Sequence, residues 1–541
     1  MSTYALTTPV ADLPFEMKQT FAGEFIFLKN PYVAYLLDDN SADAITDIDY
    51  PGFHSYAVTS ITRSGSVATV TTTATNSLEV GNTVIIAGAA QPEYNGTFTV
   101  ASITTPGSVF TYAVSGAPAT PATGTITAFG GWQTVPGIVY LNDYIFVGRI
   151  DGEIHNSDRS DYAVWQALSF ITPEKEPSLL VRLAKSLNYL VAFKQWDTEV
   201  FYDAEVAPPG SPLLPQESAY LKLGCADPYS VVEFDGGIVF MSKRDQNQRS
   251  REIHMLDGLT PKKISTPEVE RILNASDLSD TKALYLSTAG HQLYVLTLRD
   301  LGITLVCDLG NGFWGQWTKL TAQSAQDVVF LTRDGGTVTA VVVNHGFNDG
   351  DPVTIAGATP ASYRGTFNIT VVDSNTFTYQ IEFSPTSPAT GSITATGYDE
   401  SYFPAVAYSS YQNLDLVLDQ STGLIYALDT EFYEDTDVPI NVILRLPPWD
   451  NGNKYRKTFS HIKAVGDIQL RNSGLGTSVV LVRYSDDDYE NWSKYRRQSL
   501  ASESAMLRKL GQARRRAWEF RHTADTALIL ESADQDFRQG F

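Results

Sequence analysis

Short apolar runs, and in places runs of alternating apolar and polar residues, are broken by Gly, Asn and Asp along the chain and predict antiparallel β-strands joined by tight turns. Six strand–turn–strand units of this kind recur. They begin at Glu24 (EFIFLKNPYVAYLL), Gly137 (GIVYLNDYIFVGRI), Leu187 (LNYLVAFKQWDTEVFY), Gly237 (GIVFMSKRDQNQRSREIHML), His291 (HQLYVLTLRDLGITLVCDL) and Leu414 (LDLVLDQSTGLIYAL). Outside two repeated segments they follow one another at intervals of roughly 40 to 55 residues, and a period near 50 built of hairpins is typical of the blades of a β-propeller.

The two repeated segments interrupt this series between the first and second units and between the fifth and sixth. GNTVIIAGAAQPEYNGTFTV begins at Gly81, and GDPVTIAGATPASYRGTFNIT begins at Gly350. The similarity extends over modules of roughly 70 residues. Thr and Val abound and helix formers are scarce, so each copy is predicted to be a small, Ig-like β-sandwich or barrel. A compact module with adjacent ends disturbs a surface loop little, which favours insertion into a host domain.

We therefore expect an all-β chain with a propeller core of about six blades. The predicted core consists of residues 1–58, 129–328 and 399–440, module A of 59–128, and module B of 329–398. Region 441–541 contains longer predicted strands, which either form a separate sandwich or complete the propeller. One short helix is expected at Pro267, with Thr266 as its N-cap.

The composition of the 541-residue chain limits its function. Its length and its hydrophobic content of 43% predict more than one core. The net charge of −22 argues against general nucleic-acid binding, because the release of phosphate counterions needs positive charge. No apolar run is long enough for a membrane span, and the first residues do not have the pattern of a secretory signal. Two cysteines, Cys225 and Cys307, fit assembly in a reducing cytoplasm.

Candidate catalytic groups do not converge in the sequence. No zinc-ligand spacing, nucleophile elbow or phosphate-binding loop occurs. The histidines are scattered singly over strands and loops: His54, His155, His254, His291, His345, His461 and His522. Each is interpreted as a surface or hydrogen-bonded structural residue. The sequence predicts no catalytic, cofactor-binding or metal-binding residue, and no cofactor.

The most suggestive local motif is YSDDDYENW. Ser485, Asp487 and Trp492 match the Asp-box turn of sialidase-type propellers, with Tyr489 where that motif has glycine. In this structural hairpin the carboxylate caps backbone N–H groups and the tryptophan packs against the turn. A metal site at Asp486–Asp488 is the alternative, and a solvated acidic turn is favoured over it.

A basic cluster stands out near the C-terminal end. It consists of Arg508, Lys509, Arg514, Arg515, Arg516 and Arg521. With Trp518 and Phe520 interleaved, the pattern suggests a nucleic-acid stripe. Strand alternation offers a second interpretation, in which Trp518 and Phe520 face one side and Arg515 and Arg521 the other. A docking surface for an acidic partner is favoured over nucleic acid.

Three segments resemble the packaged-DNA stabilisation proteins of short-tailed bacteriophages, the tail hub or nozzle proteins below the portal and its adaptor. They are residues 139–203, which end in KQWDTEVFYD, the segment LGCADPYSVVEF from Leu223, and the C-terminal LVRYSDDDYENWSKYRRQSL and LRKLGQARRRAWEFRHT. The resemblance covers about 400 residues outside the modules, as a register of turns and aromatic residues in family order.

The resemblance implies a structural, non-enzymatic protein of the virion tail, assembled in the host cytoplasm. A β-propeller subunit would form a homohexameric ring that prolongs the portal channel, retains packaged DNA and conducts it during ejection. Implied partners are the portal–adaptor proteins, needle, fibre or spike proteins, and DNA in transient, non-specific passage, which an acidic bore would let slide. The modules would lie on the outside of the ring, against neighbouring subunits or fibres. The alternatives are a propeller-type glycan-active enzyme and a glycan- or receptor-binding tail protein.

Overall fold

The computed structural model describes residues 16–20, 25–38, 41–235, 237–244, 250–412, 414–429, 432–435, 438–466, 479–500, 505–524, 526 and 528–540. Glu24, where the first predicted hairpin begins, lies outside these residues. The chain divides into two compact units. Unit 1 comprises Met1–Leu286, Gln292–Asp300 and Cys307–Trp314, and unit 2 comprises Ser287–His291, Leu301–Val306 and Gly315–Phe541.

Unit 1 contains a four-stranded sheet, the strands of module A and three further sheets, all antiparallel. The first sheet contains β1 (Glu16–Gln19), β2 (Ile26–Lys29), β3 (Ala34–Leu37) and β4 (Ala42–Ala44). Module A contains β5 (Phe53–Ser64), β6 (Val67–Thr72), β7 (Thr83–Ala87), β8 (Gly96–Thr99), β9 (Ser102–Thr105), β10 (Val109–Ala113) and β11 (Thr127–Gly131). The second sheet contains β12 (Thr134–Leu141), β13 (Tyr144–Arg149), β14 (Ile154–Asp158) and β15 (Asp161–Ile171). The third contains β16 (Leu180–Ser186), β17 (Tyr189–Lys194), β18 (Thr198–Asp203) and β19 (Leu213–Pro215). The fourth contains β20 (Gly224–Cys225), β21 (Val232–Phe234), β22 (Gly237–Lys243), β23 (Arg251–Asp257) and β24 (Thr260–Lys263).

A fifth sheet follows a short helix. The helix, α1 (Pro267–Ala275), begins where it was predicted, because the Thr266 hydroxyl accepts the N–H of Val269 at 3.4 Å. The sheet contains β25 (Thr281–Thr288), β26 (His291–Leu298), β27 (Ile303–Asp308) and β28 (Trp314–Ala322), and the division between the units runs through these strands. Among the described residues, no helix is long and apolar enough to span a membrane.

Unit 2 continues with module B, a three-stranded sheet and the C-terminal strands. Module B contains β29 (Gln326–Asp327), β30 (Phe330–Asp334), β31 (Thr337–Val341), β32 (Pro352–Ala356), β33 (Gly365–Asn368), β34 (Thr370–Asp373), β35 (Thr376–Gln380) and β36 (Thr394–Thr396). Next come β37 (Tyr398–Tyr402), which pairs with β28, and the three-stranded sheet of β38 (Ala405–Tyr411), β39 (Leu414–Asp419) and β40 (Ile425–Leu428). A small hairpin of β41 (Glu434–Asp435) and β42 (Val438–Pro439) follows. The C-terminal strands are β43 (Val442–Arg445), β44 (Lys457–Gly466), β45 (Val479–Ser485), β46 (Arg496–Ser499), β47 (Leu507–Arg508), β48 (Gln512–Ala513), β49 (Ala517–His522) and β50 (Leu530–Gln539).

Successive sheets of unit 1 pack face to face, because both faces of their central strands are apolar. Ile145 and Val147 of β13 pack with Phe27 of the first sheet. Phe146, which points to the opposite face, packs with Leu183 of the third sheet. A strand buried on both faces reads as a continuous apolar run, which is why YIFV and LVAF replace strict alternation in the sequence. Each predicted hairpin unit supplies two neighbouring strands of one sheet.

The two modules have the same strand arrangement, and each has its own core of equivalent residues. Tyr94 and Tyr363 are fully buried at equivalent positions. In each copy a second tyrosine donates its hydroxyl to the backbone carbonyl of the first at 3.1 Å, Tyr112 in module A and Tyr379 in module B. Strands β5 and β11 cross the boundaries predicted at 58/59 and 128/129, since β5 extends from Phe53 and β11 reaches Gly131.

The C-terminal strands form two sheets, ordered β43-β49-β45-β46 and β47-β44-β48, with β50 also paired to β44. Phe459 of β44 shares a core with Val482 of β45 and with Trp518 and Phe520 of β49. Two sheets with one common core make this region a β-sandwich.

Candidate functional site

Glu16, at the start of β1, links the first sheet to the two sheets that follow. Its Oε2 accepts the N–H of Gly137 in β12 at 2.7 Å and lies 3.6 Å from Lys29 Nζ. Its Oε1 lies 3.5 Å from Nη1 of Arg182 in β16. Burial acts to raise the pKa of Glu16, but the charges of Lys29 and Arg182 outweigh it and hold the pKa below its ordinary value. The ionised carboxylate is a fixed link between three sheets.

A second carboxylate extends these links to the fourth sheet. Glu233 of β21 accepts the N–H of Lys185 in β16 at 2.9 Å and pairs with Lys18 Nζ of β1 at 3.0 Å. Lys185 Nζ donates to the carbonyl of Tyr140 in β12 at 3.0 Å. Burial, with the charge of Lys18, lowers the pKa of Lys185. We call the whole group the inner-strand cluster: Glu16, Lys18, Lys29, Arg182, Lys185 and Glu233.

Asp227 lies in unit 1 just before β21 and begins a short 3₁₀ turn. Its Oδ1 accepts the N–H of Tyr229 at 2.8 Å. The residue is 8% exposed, and burial raises the pKa of Asp227 to about 6 even though backbone N–H groups act against the increase. Its charge therefore changes in the mildly acidic range.

These groups stabilise strand positions and do not assemble a reactive centre. The two carboxylates of the inner-strand cluster accept backbone N–H groups and face cations. Burial raises the pKa of Cys225 and of Cys307 to about 12, which leaves both thiols protonated and unreactive at neutral pH. Within the part of the chain that the structure describes, no cluster of His, Cys, Asp and Glu could hold a metal ion.

Ser242, Glu252 and His254, on β22 and β23, resemble a hydrolase triad in composition. Ser242 Oγ lies 2.8 Å from His254 Nδ1, and His254 Nε2 lies 3.8 Å from Glu252 Oε2. Ser242 is 1% exposed and His254 is 3% exposed, and burial lowers the pKa of the imidazole. A substrate cannot reach the hydroxyl in this conformation, so the group is structural.

Four other histidines also have local partners. Two face a backbone carbonyl oxygen: His54 Nε2 lies 2.9 Å from Tyr50 O, and His345 Nε2 lies 3.0 Å from Asp373 O. Two face side chains: His155 Nε2 lies 3.0 Å from Glu153 Oε2, and His522 Nε2 lies 3.2 Å from Thr526 Oγ1. Each of these four histidines thus has a hydrogen-bond partner within the chain.

The Asp-box-like segment is the capping turn that the sequence predicted. Asp487 Oδ1 accepts the Ser485 hydroxyl at 2.8 Å and the N–H of Asn491 at 2.9 Å. Tyr489, at the glycine position of the motif, has φ of +74°, in the left-handed region that favours glycine. Trp492 is packed against Arg483, whose guanidinium carbon lies 4.6 Å from the centroid of the tryptophan ring.

The acidic and basic clusters that the sequence singled out bind each other. Arg516 is 1% exposed and forms a bidentate pair with Asp486, with Nε–Oδ1 at 2.7 Å and Nη2–Oδ2 at 2.8 Å. Its guanidinium also lies 3.8 Å from the centroid of the Tyr484 ring. Arg515 pairs with Asp488. Asp486 and Asp488, two of the three consecutive aspartates, thus pair with arginines, which is a structural arrangement and not a cation site.

Alternation along β49 places its aromatic residues on one side, as predicted, and that side is the core. Trp518 and Phe520 are buried between the two sheets of the sandwich. Arg521 points to the opposite face, where Nη1 lies 3.3 Å from Asp351 Oδ1 of module B. Arg515 precedes β49, so the alternation argument does not extend to it. The acidic partner of Arg521 is a module of the same chain.

Further contacts hold module B against the sandwich within unit 2. Asp349 Oδ2 accepts the N–H of Tyr495 at 3.3 Å, and Asn368 Oδ1 accepts the Thr523 hydroxyl at 2.8 Å. Gly350 lies so close to the Tyr495 ring that a Cβ would be 2.4 Å from a ring carbon. At the positions equivalent to Asp349 and Asp351, module A has Val80 and Asn82. Module A therefore lacks the two carboxylates that make these contacts in module B.

The modules also differ in apolar residues on and beside the sheet that begins with β30, most of them exposed. Phe330 is 64% exposed, Val343 64%, Val372 59% and Val329 54%, and Val341 is opposite Phe330 in the strand register. The equivalent residues of module A are all hydroxylated: Ser60 for Phe330, Thr73 for Val343, Thr104 for Val372, Thr59 for Val329 and Thr71 for Val341. Alignment of the two copies position by position reveals this contrast from the sequence alone. We call the five module B residues the module B apolar face.

Comparison with known proteins identifies one family. A family model described as bacteriophage P22 Gp10, beta-propeller, matches residues 50–340, more than half of the chain. No curated protein matches the chain. The match confirms the predicted all-β class with a propeller core.

Three solved structures illustrate the more distant similarities. BamB from Moraxella catarrhalis has 10% identity and a TM-score of 0.27, over 70% of this chain and 86% of that chain. The WD40 domain of Neurospora crassa Pan2 has 8% identity and a TM-score of 0.27, over 62% of this chain and 87% of that chain. The computationally designed Ika8 protein has 12% identity and a TM-score of 0.25, over 77% of this chain and 98% of that chain.

Proposed function

The chain belongs to the packaged-DNA stabilisation family described as bacteriophage P22 Gp10, beta-propeller, and we propose that it is a tail hub, or nozzle, subunit of a short-tailed virion. The observation that carries the proposal is the family match over residues 50–340. In the proposal, six copies form a ring that extends the portal channel, retains the packaged genome and conducts it during ejection. Portal–adaptor proteins adjoin the ring on one side, and needle, fibre or spike proteins on the other.

The inner-strand cluster supports a mechanical role in place of a catalytic one. Glu16 and Glu233 connect β1, β12, β16 and β21, which belong to four different sheets, by side-chain contacts. Charge-assisted bonds of this kind resist displacement of one sheet against the next more strongly than neutral ones. A wall that holds pressurised DNA needs such cross-links, whereas a glycosidase needs two accessible carboxylates around a sugar.

We propose different roles for the two modules, with boundaries at 59–128 and 329–398. Module B is held by Arg521 and Tyr495 of the sandwich, which sets the direction of its apolar face. In the ring, that face lies against a neighbouring subunit. Module A has hydroxyls at the same positions and is the more hydrophilic decoration, available to fibres.

Immunogold labelling of purified particles tests the location. An epitope tag inserted at Gly65, in the exposed turn between β5 and β6, presents module A to the antibody. We expect gold at one vertex of each particle. Gold spread over the capsid, or absent from particles that contain the protein by immunoblot, would refute the hub assignment.

Loss of the protein tests the function itself. Particles assembled without this chain are expected to package DNA but to lose it during purification, so that filled heads are obtained only on complementation. Full heads that stay filled without the protein would contradict a role in DNA retention. A matched complementation with the Ser242→Ala variant should restore filled heads, because the hydroxyl has no catalytic duty in this proposal.

A further inference from the structure

The C-terminal region differs in charge from the rest of the chain. Residues 441–541 contain 17 of the 39 Lys and Arg residues and 12 of the 61 Asp and Glu residues, which gives this region a net charge of +5. Residues 1–440 therefore carry −27, although the whole chain carries −22. Such a separation of opposite charges along one chain steers how charged surfaces approach it.

Four cations of the sandwich lie beside one edge of β44. Strands β47 and β48 pair with this edge at His461 and Lys457, about 13 Å apart along the strand, while β50 pairs with the other edge. Arg508 ends β47, and Arg496 Nη1 donates to the carbonyl of Arg508 at 2.6 Å. We call the four residues the sandwich basic patch: Arg496, Arg508, Lys509 and Arg514.

The sandwich basic patch has no partner of opposite charge in the part of the chain that the structure describes. All four side chains are exposed. The neighbouring Arg515 and Arg516 pair with aspartates, but none of the four patch residues forms an ion pair with a described residue. Like charges held close together repel one another, so an anionic surface gains attraction here without breaking an existing pair.

Unit 1 has a patch of the opposite charge where three strand ends meet. In the turn after β12, Asn142 Nδ2 donates to Oδ2 of Asp203 at the end of β18, at 2.8 Å. The carbonyl of Asp143 in the same turn accepts the N–H of Ser160, between β14 and β15, at 2.8 Å. We call the carboxylates at these strand ends the tip acidic patch: Asp158, Asp161, Asp203 and Glu205.

The carboxylates of the tip acidic patch have neutral partners and no cation among the described residues. Asp158 Oδ2 accepts a side-chain amide at 3.1 Å, and Asp203 Oδ1 accepts the N–H of Glu205 at 2.8 Å. Arg159 of the same region lies 3.9 Å from Asp143, which is outside the patch. The tip acidic patch thus presents as many unpaired charges as the sandwich basic patch, with the opposite sign.

We propose that the sandwich basic patch of one copy docks against the tip acidic patch of a second copy of this chain. The two patches use different surfaces of the subunit, so the contact is head to tail, and such contacts generate rings when the rotation between copies closes. A second copy is favoured over nucleic acid, because a chain with a net charge of −22 repels phosphates. The inference rests on the proposed ring, since it names the surfaces through which the subunits meet.

Zero-length cross-linking of the full-length chain tests which surfaces meet. A carbodiimide joins an ammonium to a carboxylate that is in contact with it, and Lys509 has the one primary amine of the sandwich basic patch. An equal mixture of unlabelled and heavy-nitrogen protein separates links between copies from links within one copy. We expect mixed-label peptides that join Lys509 to the tip acidic patch. Links of Lys509 within a single copy only, or to other carboxylates only, would overturn the proposal, as would a wild type that does not associate at low salt.

Charge reversal provides the matched variants. Arg508→Glu with Lys509→Glu should weaken association by about ten-fold or more in sedimentation velocity, and so should Asp161→Lys with Glu205→Lys. All four changes in one chain should restore association, because the reversed patches attract each other again. Association that is not recovered by the fourfold variant would refute the pairing of these two patches.

A control variant and a DNA probe separate the alternatives. Glu79→Lys with Glu93→Lys makes the same charge change at exposed positions of module A and should leave association within about two-fold. An equal loss in this control would indicate non-specific attraction and overturn the proposal. A labelled DNA duplex that binds the wild type with a Kd of about 1 µM or less at about 150 mM salt, and not Arg508→Glu with Lys509→Glu, would assign the patch to nucleic acid and also overturn it.

The immunogold experiment distinguishes failure of this inference from failure of the proposed function. Gold at one vertex without mixed-label links would refute the pairing alone. Mixed-label links from Lys509 without gold at a vertex would support the pairing and refute the hub assignment.

Discussion

Replacement of Lys194 by Met tests whether the family-like segment KQWDTEVFYD is structural. Lys194 Nζ lies 3.0 Å from Asp197 Oδ2 and 2.8 Å from Glu199 Oε1, and it donates to the carbonyl of Glu176 at 2.7 Å. The side chains of Lys194 and Asp197 are 1% exposed and that of Glu199 is 5% exposed. Met keeps the length of the side chain but leaves two buried carboxylates without their cation. Breaking a buried ion pair in this way costs about 3–5 kcal/mol.

The assay is native-state hydrogen exchange, followed by mass spectrometry on peptides that cover β17 and β18. A loss of about 3 kcal/mol in the local opening free energy accelerates exchange there by roughly a hundred-fold. Lys175→Met is the matched control. Lys175 pairs with Glu217 at the surface, with side chains 39% and 65% exposed, and an exposed pair contributes at most about 1 kcal/mol.

A triple variant separates lost charge balance from lost packing. Lys194→Met with Asp197→Asn and Glu199→Gln keeps an acceptor oxygen for the hydroxyl of Ser178 and for the N–H of Lys175. We expect this variant to recover most of the stability, since no uncompensated charge remains. If Lys194→Met exchanges no faster than Lys175→Met, or if the triple variant is as unstable as the single one, the buried-charge reasoning is wrong.

Three further predictions follow from the site geometry. Because the folded pKa of Asp227, about 6, exceeds the unfolded value, the wild type loses stability as the pH rises from about 4 to 6. Asp227→Asn should therefore raise the free energy of unfolding by about 1–3 kcal/mol above pH 6 and flatten that decrease. Urea unfolding midpoints measured across this pH range check the prediction, and an unchanged slope would contradict it. Burial lowers the pKa of His522 to about 4, so the sandwich should lose stability as the pH falls from about 6.5 to 4. His522→Gln should remove this pH dependence, measured by hydrogen exchange of the β49 amides. The same pH dependence in both proteins would disprove the role of His522. Val329→Thr with Phe330→Ser and Val343→Thr gives module B three of the five module A hydroxyls. The variant should change the free energy of unfolding by less than about 1 kcal/mol, as is usual at exposed positions, and native mass spectrometry should show weaker ring assembly. Unimpaired assembly would remove the module B apolar face from the subunit contacts.

Much of the fold was predictable because its determinants are local. The apolar runs and turn residues around Gly137 and Leu187 identified strands that the structure contains. Thr266 followed by Pro267 located the beginning of the one α-helix among the described residues. The ion pair of Arg516 with Asp486 was not predictable from the sequence. The acidic cluster and the basic cluster each allowed a ligand-binding interpretation, and the 29 residues between Asp486 and Arg516 carry no signal that the two are in contact.

The difference between the two modules shows where sequence information ends. The copies predict the same sandwich, since Tyr94 and Tyr363 fill the same core, and comparison of the copies is enough to find the module B apolar face. The sequence could not show that Asp351 meets Arg521, because that contact joins residues 170 positions apart and depends on how module B lies against the sandwich.

The sequence by itself determined the all-β class, the duplicated module and the family, because periodicity, turn residues and family-specific segments are properties of neighbouring residues. Only the tertiary structure decided which charges neutralise one another. Ion pairs such as Arg516–Asp486 depend on distances between residues far apart in the chain. Burial sets the energy of those charges, and burial is a property of the packed chain alone.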